Sequence, residues 1–501
     1  KIRTDSVRII HIARDDTRAS ALKTAVNFFD PTITILDFPA WDCLPYDRVS
    51  PNKEISCLRM SALTSLILDQ PKVDLLITTA NAVSQRVPPR EFIKTSSLVL
   101  QVGKSYNREQ LISTLIDMGY VHSSTVTEKG EFAVRGGIVD IFPPNMEAPT
   151  RLDFFGDQLD QSKFFDVETQ LSKESISEIL LCPVSEFVLN DKHMQYFRRA
   201  YRHTFGSNGL NDPLYASVSS GRPYLGYEHW GPMFYPKMDT LLDYVSKDTP
   251  LSMDYGVDQD IWYRWRTVNE QFDSRCADLE GASSFKTKYK PLNPNLLYIS
   301  SQEWPDLTKK REVYLFFPMK MPTGANARYI GGLIGRNFNI ERQEKDNTLF
   351  KNLLLHLRAK MQEGLTVIAC YSEGSRNRMR SMLSDNGFFN HTQISCLSDL
   401  NCSSDMIGMT ILPLEQGFES NGLSIITEKD ILGERLVRQS LKKRKAKDFL
   451  RDISVLKVND LVVHVEHGLG KYEGLEKIKT LGVVREYLTL QYSGNDKLLL
   501  P

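Results

Sequence analysis

The sequence predicts a multidomain α/β protein. An α/β domain is interrupted by an antiparallel β-rich insertion and followed by a second α/β domain and a partial C-terminal β-barrel. Three observations carry this. Strand-like and helix-like stretches alternate over residues 1–120 and again over 316–432, the rhythm of parallel sheets with helices on their faces. Residues 121–180 change to short strands punctuated by Gly136-Gly137, Pro143-Pro144 and Gly156-Asp157, a pattern of hairpins. From 456 to 501 several short strands follow at close intervals, as in a small barrel.

Taken in order, Val7–Ala13 and Thr32–Phe38 read as β-branched strands, and Glu54–Leu68 as a helix with apolar residues at 55, 58, 63, 66 and 67. Val73–Thr78 and Ser97–Val102 read as strands. Asn107 with Gln110 three residues on opens a helix that Gly119 stops. In the insertion, Phe132–Val134, Ile138–Phe142, Arg151–Phe155 and Ser162–Val167 are the strands. Over 181–315 the chain is mixed and rich in aromatics, with a helix at Ile261–Leu279 and strands at Leu296–Ser300 and Val313–Phe317. The second α/β domain offers a helix over 347–361 ending at Gly364, the strand Leu365–Cys370, a helix ending near Gly387, and strands near 393–397, 406–412 and 423–427. Residues 433–455 read as a basic helical linker.

Composition excludes several classes. With 501 residues, 41% apolar and 25% charged, the chain has ample apolar surface to fold, into about three to five domains. Lys+Arg and Asp+Glu are equal at 62 each, which argues against a surface that coats nucleic acid throughout. No apolar run approaches the ~20 residues of a membrane span, and no signal-peptide core follows the N-terminus. Seven cysteines without a Cys-x-x-Cys pair suit a reducing cytoplasm and buried free thiols. Neither end reads as natural: the first residue is Lys, and the last residues stop inside a strand, so a fragment is expected.

Catalytic motifs are weak. Val102-Gly103-Lys104-Ser105 resembles the end of a phosphate loop, but Leu98 stands where the first glycine is needed. Ile425-Ile-Thr-Glu-Lys-Asp430 places acids at a strand end without such a loop. His464 and His467 fall on opposite faces of a strand and do not converge on a metal. More informative is the insertion. Alternation puts Arg151, Asp153 and Phe155 on one strand face and Leu152 and Phe154 on the other. Arg beside an exposed aromatic is the chemistry of a protein–protein hot spot, and a cross-strand salt bridge is the plainer alternative. Lys442, Lys443, Arg444 and Lys445, within a longer basic run, suit either nucleic-acid phosphates or a solvated helix face. The absence of interleaved aromatics favours the solvated face.

An ordered set of segments resembles the N-terminal part of the bacterial transcription-repair coupling factors. They are Phe38-Pro-Ala-Trp-Asp-Cys-Leu-Pro-Tyr-Asp47 with Ser50-Pro51, Gly130-Glu-Phe-Ala-Val-Arg-Gly-Gly-Ile-Val-Asp-Ile-Phe-Pro143, and Arg151-Leu-Asp-Phe-Phe-Gly-Asp157. Further on come Ile431-Leu-Gly-Glu-Arg435, Val462-Val-His-Val-Glu-His-Gly-Leu-Gly-Lys-Tyr472 and Glu486-Tyr-Leu-Thr-Leu-Gln-Tyr492. The resemblance implies a RecA-like, UvrB-like α/β domain in two halves, 1–120 and 181–315, around a UvrA-binding insertion at 121–180. It also implies a separate α/β domain at 316–432 and a truncated, Tudor-like RNA polymerase-interacting module at 456–501.

Carried over residue by residue, the resemblance implies UvrA contacts at Arg135, Arg151 and Phe155 and an RNA polymerase β-subunit contact at Ile478. The role it implies is a non-catalytic recognition scaffold in transcription-coupled nucleotide-excision repair, cytoplasmic and off the membrane. No cofactor is expected in this fragment. ATP and Mg, and DNA as a partner, belong to the full-length protein, whose translocase lies further C-terminal. The competing readings are a UvrB-like ATPase or helicase subunit, and a DNA-binding module centred on the basic linker.

Overall fold

The computed structural model describes residues 7–68, 72–206, 212–281, 289–319, 321, 326–343, 348–400, 405–433, 459–464, 468–480, 483–492 and 496–500. The chain divides into two compact units, Lys1–Gly433 and Glu434–Pro501.

The first unit is built on a five-stranded sheet in the order Val313–Phe316, Leu251–Asp254, Val7–Ala13, Val73–Thr79, Ile35–Phe38, and every neighbouring pair runs parallel. Its strands come from two stretches of chain separated by some 170 residues, so the intervening chain is looped out of the sheet and returns. The first helix, Asp16–Phe29, starts where the Asp15 carboxylate accepts the Arg18 N–H. The long helix Val257–Gly281 and the aromatic-rich segment Tyr227–Phe234 complete the layers around one large core containing Ile10, Ile12, Phe38, Met60, Phe187 and Phe234. The stretch expected as a strand at Leu296–Ser300 instead opens with a single helical turn at Pro294–Leu296, capped by Asn293, and Leu296 is exposed.

The insertion is a six-stranded sheet: Val121–His122, Glu131–Arg135, Ile138–Ile141, Thr150–Phe155, Gln158–Phe165 and Ser172–Ser175, paired in chain order. Only the first pair is parallel; the rest form an antiparallel meander. The module starts earlier than the sequence suggests. Leu98–Gln101 pairs antiparallel with Glu178–Leu181, and Leu100, Leu111, Leu115, Met118 and Tyr120 share a core with Phe132, Val139, Leu152 and Phe154. Residues 98–120, read from local rhythm as the end of the first α/β half, therefore belong to the inserted module. The helix Arg108–Asp117, capped by the Asn107 side-chain oxygen Oδ1 accepting the Gln110 N–H, covers its inner face.

The second α/β domain has a six-stranded sheet in the order Leu333–Ile334, Phe418–Ser420, Leu423–Thr427, Leu365–Cys370, Ile407–Ile411, His391–Gln393. The last four strands run parallel, and the first two add antiparallel at one edge. Helices Thr348–Glu363 and Glu373–Asp385 cover one face. The other face is closed in part by Phe28 of the first helix, which is buried among Val367, Ala369, Ile394, Leu400, Leu412 and Ile425. The two α/β domains thus share a packed apolar boundary.

In the second unit, Leu461–His464, Gly468–Thr480, Val483–Gln491 and Lys497–Leu500 form an antiparallel sheet in chain order. Tyr472, Leu488 and Leu490 make its small core. The basic linker with Lys442, Lys443, Arg444 and Lys445 lies outside the described residues, as does His467.

Candidate protein-docking surface

One face of the insertion's sheet is filled by the main core; the other carries a small buried cluster of Val126, Ala133, Phe142 and Phe165 and is exposed towards the Gly136 and Gly156 turns. Phe132, Val139, Ile141, Leu152, Phe154 and Leu159 point into the module's core. Side chains alternate across a strand, so their neighbours define the opposite face. There, Ala133, Asp140, Arg151 and Lys163 lie opposite one another on four successive strands, and Arg135, Ile138, Asp153 and Gln161 form the next row. Phe155 lies one row further, beyond a bulge, at the hairpin end. The three residues singled out from the sequence, Arg135, Arg151 and Phe155, therefore share one sheet face.

Turn chemistry places two of them at one end of that sheet. Arg135 pairs with Ile138 across Gly136-Gly137, and Phe155 pairs with Gln158 across Gly156-Asp157. Gly136 has φ +60°, which glycine adopts without strain. Gly137 donates no side chain because a Cβ there would stand 2.7 Å from the Phe154 carbonyl oxygen. Helix Arg108–Asp117 steadies this end: Arg108 Nη1 donates to the Gly136 carbonyl at 2.8 Å.

The three side chains are held differently. Phe155 is 84% exposed, the most exposed large apolar side chain among the described residues. Arg135 is exposed; its Nη2 donates to the Ser124 carbonyl at 2.7 Å and Thr125 Oγ1 at 3.0 Å, leaving its Nε edge for solvent or a partner. Arg151 is half-buried. Its Nε and Nη2 grip the buried Asp140 carboxylate at 2.7 and 2.9 Å, and its guanidinium lies 4.8 Å from the Phe165 ring centroid. The bond to Asp140 raises the guanidinium's pKa further. Alternation thus reveals the exposed Phe and the shared face, while the salt bridge offered as the plainer alternative is also present.

Ile478 lies on Gly468–Thr480, opposite Arg485. The flanking strand Leu461–His464 pairs only with Gly468–Lys471. Among the described pairings, the Ile478 stretch is therefore bonded on one side and leaves its other backbone edge for an added strand.

The weak phosphate-loop likeness at Val102-Gly103-Lys104-Ser105 is occupied by the insertion's own backbone. The Gly103 N–H donates to the Leu159 carbonyl, Leu159 N–H to the Lys104 carbonyl, and Ser105 bridges Gln158. The stretch is a hairpin-side turn rather than a cradle. Thr427-Glu-Lys-Asp430 is likewise structural: Asp430 caps the turn through the Thr427 and Gly417 N–H groups, and Glu428 pairs with Arg378. Among the described residues, no group of His, Cys, Asp or Glu is arranged to hold a metal, and no helix is long and apolar enough to cross a membrane.

An α/β scaffold carries a β-rich insertion with an exposed Phe and Arg at one end of one sheet face, an arrangement suited to protein docking. Residues 98–187 match the UvrB interaction domain, 359–431 the MFD, D3 domain, and 456–501 the CarD-like/TRCF RID domain. The chain is 31% identical to the transcription-repair-coupling factor of Rickettsia typhi over 95% of this chain and 41% of that protein. Its identity is 30% to the Haemophilus influenzae protein and 29% to that of Escherichia coli K12, each over 98% of this chain and 42% of the relative. The chain belongs to the transcription-repair coupling factors, and it spans about two-fifths of the length of the curated relatives it matches.

Proposed function

We propose that this chain is the recognition scaffold of a transcription-repair coupling factor: it binds RNA polymerase stalled at a DNA lesion through residues 456–501 and recruits UvrA through the insertion. The single observation that carries this is Phe155, almost wholly exposed, on the same sheet face as Arg135 and Arg151 in the region matched to a UvrB interaction domain. Aromatic and Arg residues dominate interface energetics, and here they share one face. The polymerase assignment rests on the match of 456–501 and on the one-sided pairing of the Ile478 stretch.

In this reading the segment grips other proteins and does no ATP chemistry itself. ATP, Mg and DNA translocation belong to the rest of the coupling factor. The test is a titration of the 501-residue chain with UvrA. Saturable binding that weakens on Arg135→Ala or Phe155→Ala supports the reading. Binding that neither change alters removes the assigned surface, and ATP turnover by this chain alone removes the non-catalytic role.

A further inference from the structure

The docking face contains a residue that neither sequence pattern nor family resemblance singled out. Asp140 stands directly opposite Arg151 on the neighbouring strand, and its carboxylate is almost fully buried, with a side-chain exposure of 2% against 22% for Arg151. It receives two parallel N–H bonds from the guanidinium, the bidentate fork that fixes orientation as well as charge. The guanidinium's other face rests against Phe165, and Nη1 reaches the Gln170 carbonyl at 3.2 Å and Ser172 Oγ at 3.5 Å.

A guanidinium has five N–H donors. Two go to Asp140, one to the Gln170 carbonyl and one to Ser172 Oγ, so a single Nη2 N–H remains, its direction set by the Asp140 bond. A free arginine on a strand would instead sample several rotamers and would lose that entropy on binding.

We infer that Asp140 is a positioning residue of the docking surface: it holds the Arg151 guanidinium on the same sheet face as Phe155, with its remaining Nη2 N–H set to donate to a carboxylate or carbonyl oxygen of the partner. Asp140 touches no partner atom in this arrangement; it acts through Arg151. The inference rests on the UvrA reading for the identity of the partner. It also accounts for a buried acid beside the small apolar cluster of Val126, Ala133, Phe142 and Phe165, because a carboxylate is retained there only with a partner of its own.

The test is a double-mutant cycle on UvrA affinity with the 501-residue chain, using Asp140→Asn, Arg151→Ala, the double variant, Phe155→Ala, and Phe155→Ala with Asp140→Asn. Asn keeps the shape and one acceptor but removes the charge. Asp140→Asn is expected to weaken binding roughly tenfold, in line with loss of a charge-assisted bond. In the Arg151→Ala background the same change is expected to alter affinity by less than about twofold, because there is no guanidinium left to position. The Phe155→Ala loss is expected to persist undiminished in the Asp140→Asn protein, which a collapsed face would not allow.

Asp140→Asn binding like the parent while Arg151→Ala and Phe155→Ala lose affinity overturns the positioning role and leaves the docking surface standing. An equal Asp140→Asn loss with and without Arg151, or disappearance of the Phe155 effect, overturns it as well. Parental binding by both Arg151→Ala and Phe155→Ala removes the UvrA reading and the inference with it.

Discussion

Arg59 and Glu186 form an ion pair with no solvent exposure on the arginine and almost none on the glutamate. Arg59 lies on the helix Lys53–Leu68, and Glu186 lies where the chain leaves the insertion. The guanidinium gives Nε to Oε1 at 2.6 Å and Nη2 to Oε2 at 3.1 Å, and its Nη1 goes to the Pro39 carbonyl. Trp41 Nε1 donates to the same carboxylate, and the guanidinium sits 4.2 Å from the Phe38 ring centroid. The Phe38–Asp47 segment that marks the family thus builds a joint between the α/β domain and its insertion.

That joint is expected to matter more when halved than when removed. Glu186→Ala leaves a buried guanidinium without a counter-ion, and a loss on the order of 3–5 kcal/mol is expected. Replacing both residues, Arg59→Met with Glu186→Leu, is expected to recover most of it, since apolar side chains of similar volume carry no desolvation cost. Denaturant unfolding of the three variants measures the difference. A double variant as unstable as Glu186→Ala would show that the pair's hydrogen bonds, not its uncompensated charge, hold the joint.

Phe155→Ala is expected to separate binding from stability. The ring is exposed, so its removal buries nothing less on folding, and the melting temperature is expected to stay within a degree or so. At a hot spot, truncation costs about 2–4 kcal/mol of binding, a loss of more than tenfold in UvrA affinity. Arg135→Ala is expected to lose less, because part of its guanidinium serves the Ser124–Thr125 turn. A Phe155→Ala protein that melts early would place the ring in the fold after all.

Period and punctuation made much of the architecture legible. Leu365–Cys370 was readable to the residue, and the helix after it stops at Gly387, whose φ is +79°. The alternation Arg151–Phe155 gave the two faces of its strand because each turn of the pleat reverses the side chain. What stayed hidden depended on distant pairing. Leu98–Gln101 reads as a strand in any setting, and only its partner Glu178–Leu181 assigns it to the insertion. Leu58, counted with the apolar stripe of its helix, is exposed, whereas Arg59 beside it is buried, because a single distant carboxylate outweighs the local pattern. Asp140 was invisible as a site residue for the same reason: its role follows from standing across the sheet from Arg151.

Glu228 gives the fold a measurable pH signature. Ser50 Oγ donates to its carboxylate at 2.8 Å, but burial dominates and pushes the Glu228 carboxyl up to about 7. In the unfolded chain it titrates near 4.5. Between those values the folded state keeps a proton that the unfolded state has lost, so this group's contribution to stability falls as pH rises towards 7. Neighbouring His229 acts oppositely: burial lowers it to about 4, so its contribution rises from there up to its ordinary value of 6.5. Glu228→Gln isolates the first effect. The variant is expected to match its parent at about pH 5 and to melt a few degrees higher at about pH 7.5, read by calorimetry. The same offset at both pH values would mean that Glu228 is ionised throughout.

Ile478 is the residue on which the polymerase contact can be decided. The sequence around it, Glu476-Lys-Ile-Lys479, is charged except at this position, and among the described pairings its strand is bonded only on the Val483–Gln491 side over this stretch. An added strand would draw its affinity from backbone N–H and C=O groups and its selectivity from alternate side chains. Ile478→Arg leaves every ladder bond in place, because those bonds belong to the main chain, and so the sheet is expected to form. What changes is one aliphatic contact, replaced by a charge that a partner would have to desolvate without a counter-ion. Association of the coupling factor with the polymerase β subunit is therefore expected to fall by more than tenfold, while Ile478→Val, which keeps an aliphatic branch, is expected to bind nearly as the parent does. Measured by pull-down and by titration, parental binding of Ile478→Arg would move the contact elsewhere on residues 456–501, and equal losses for both variants would point to the strand's shape rather than to an apolar anchor.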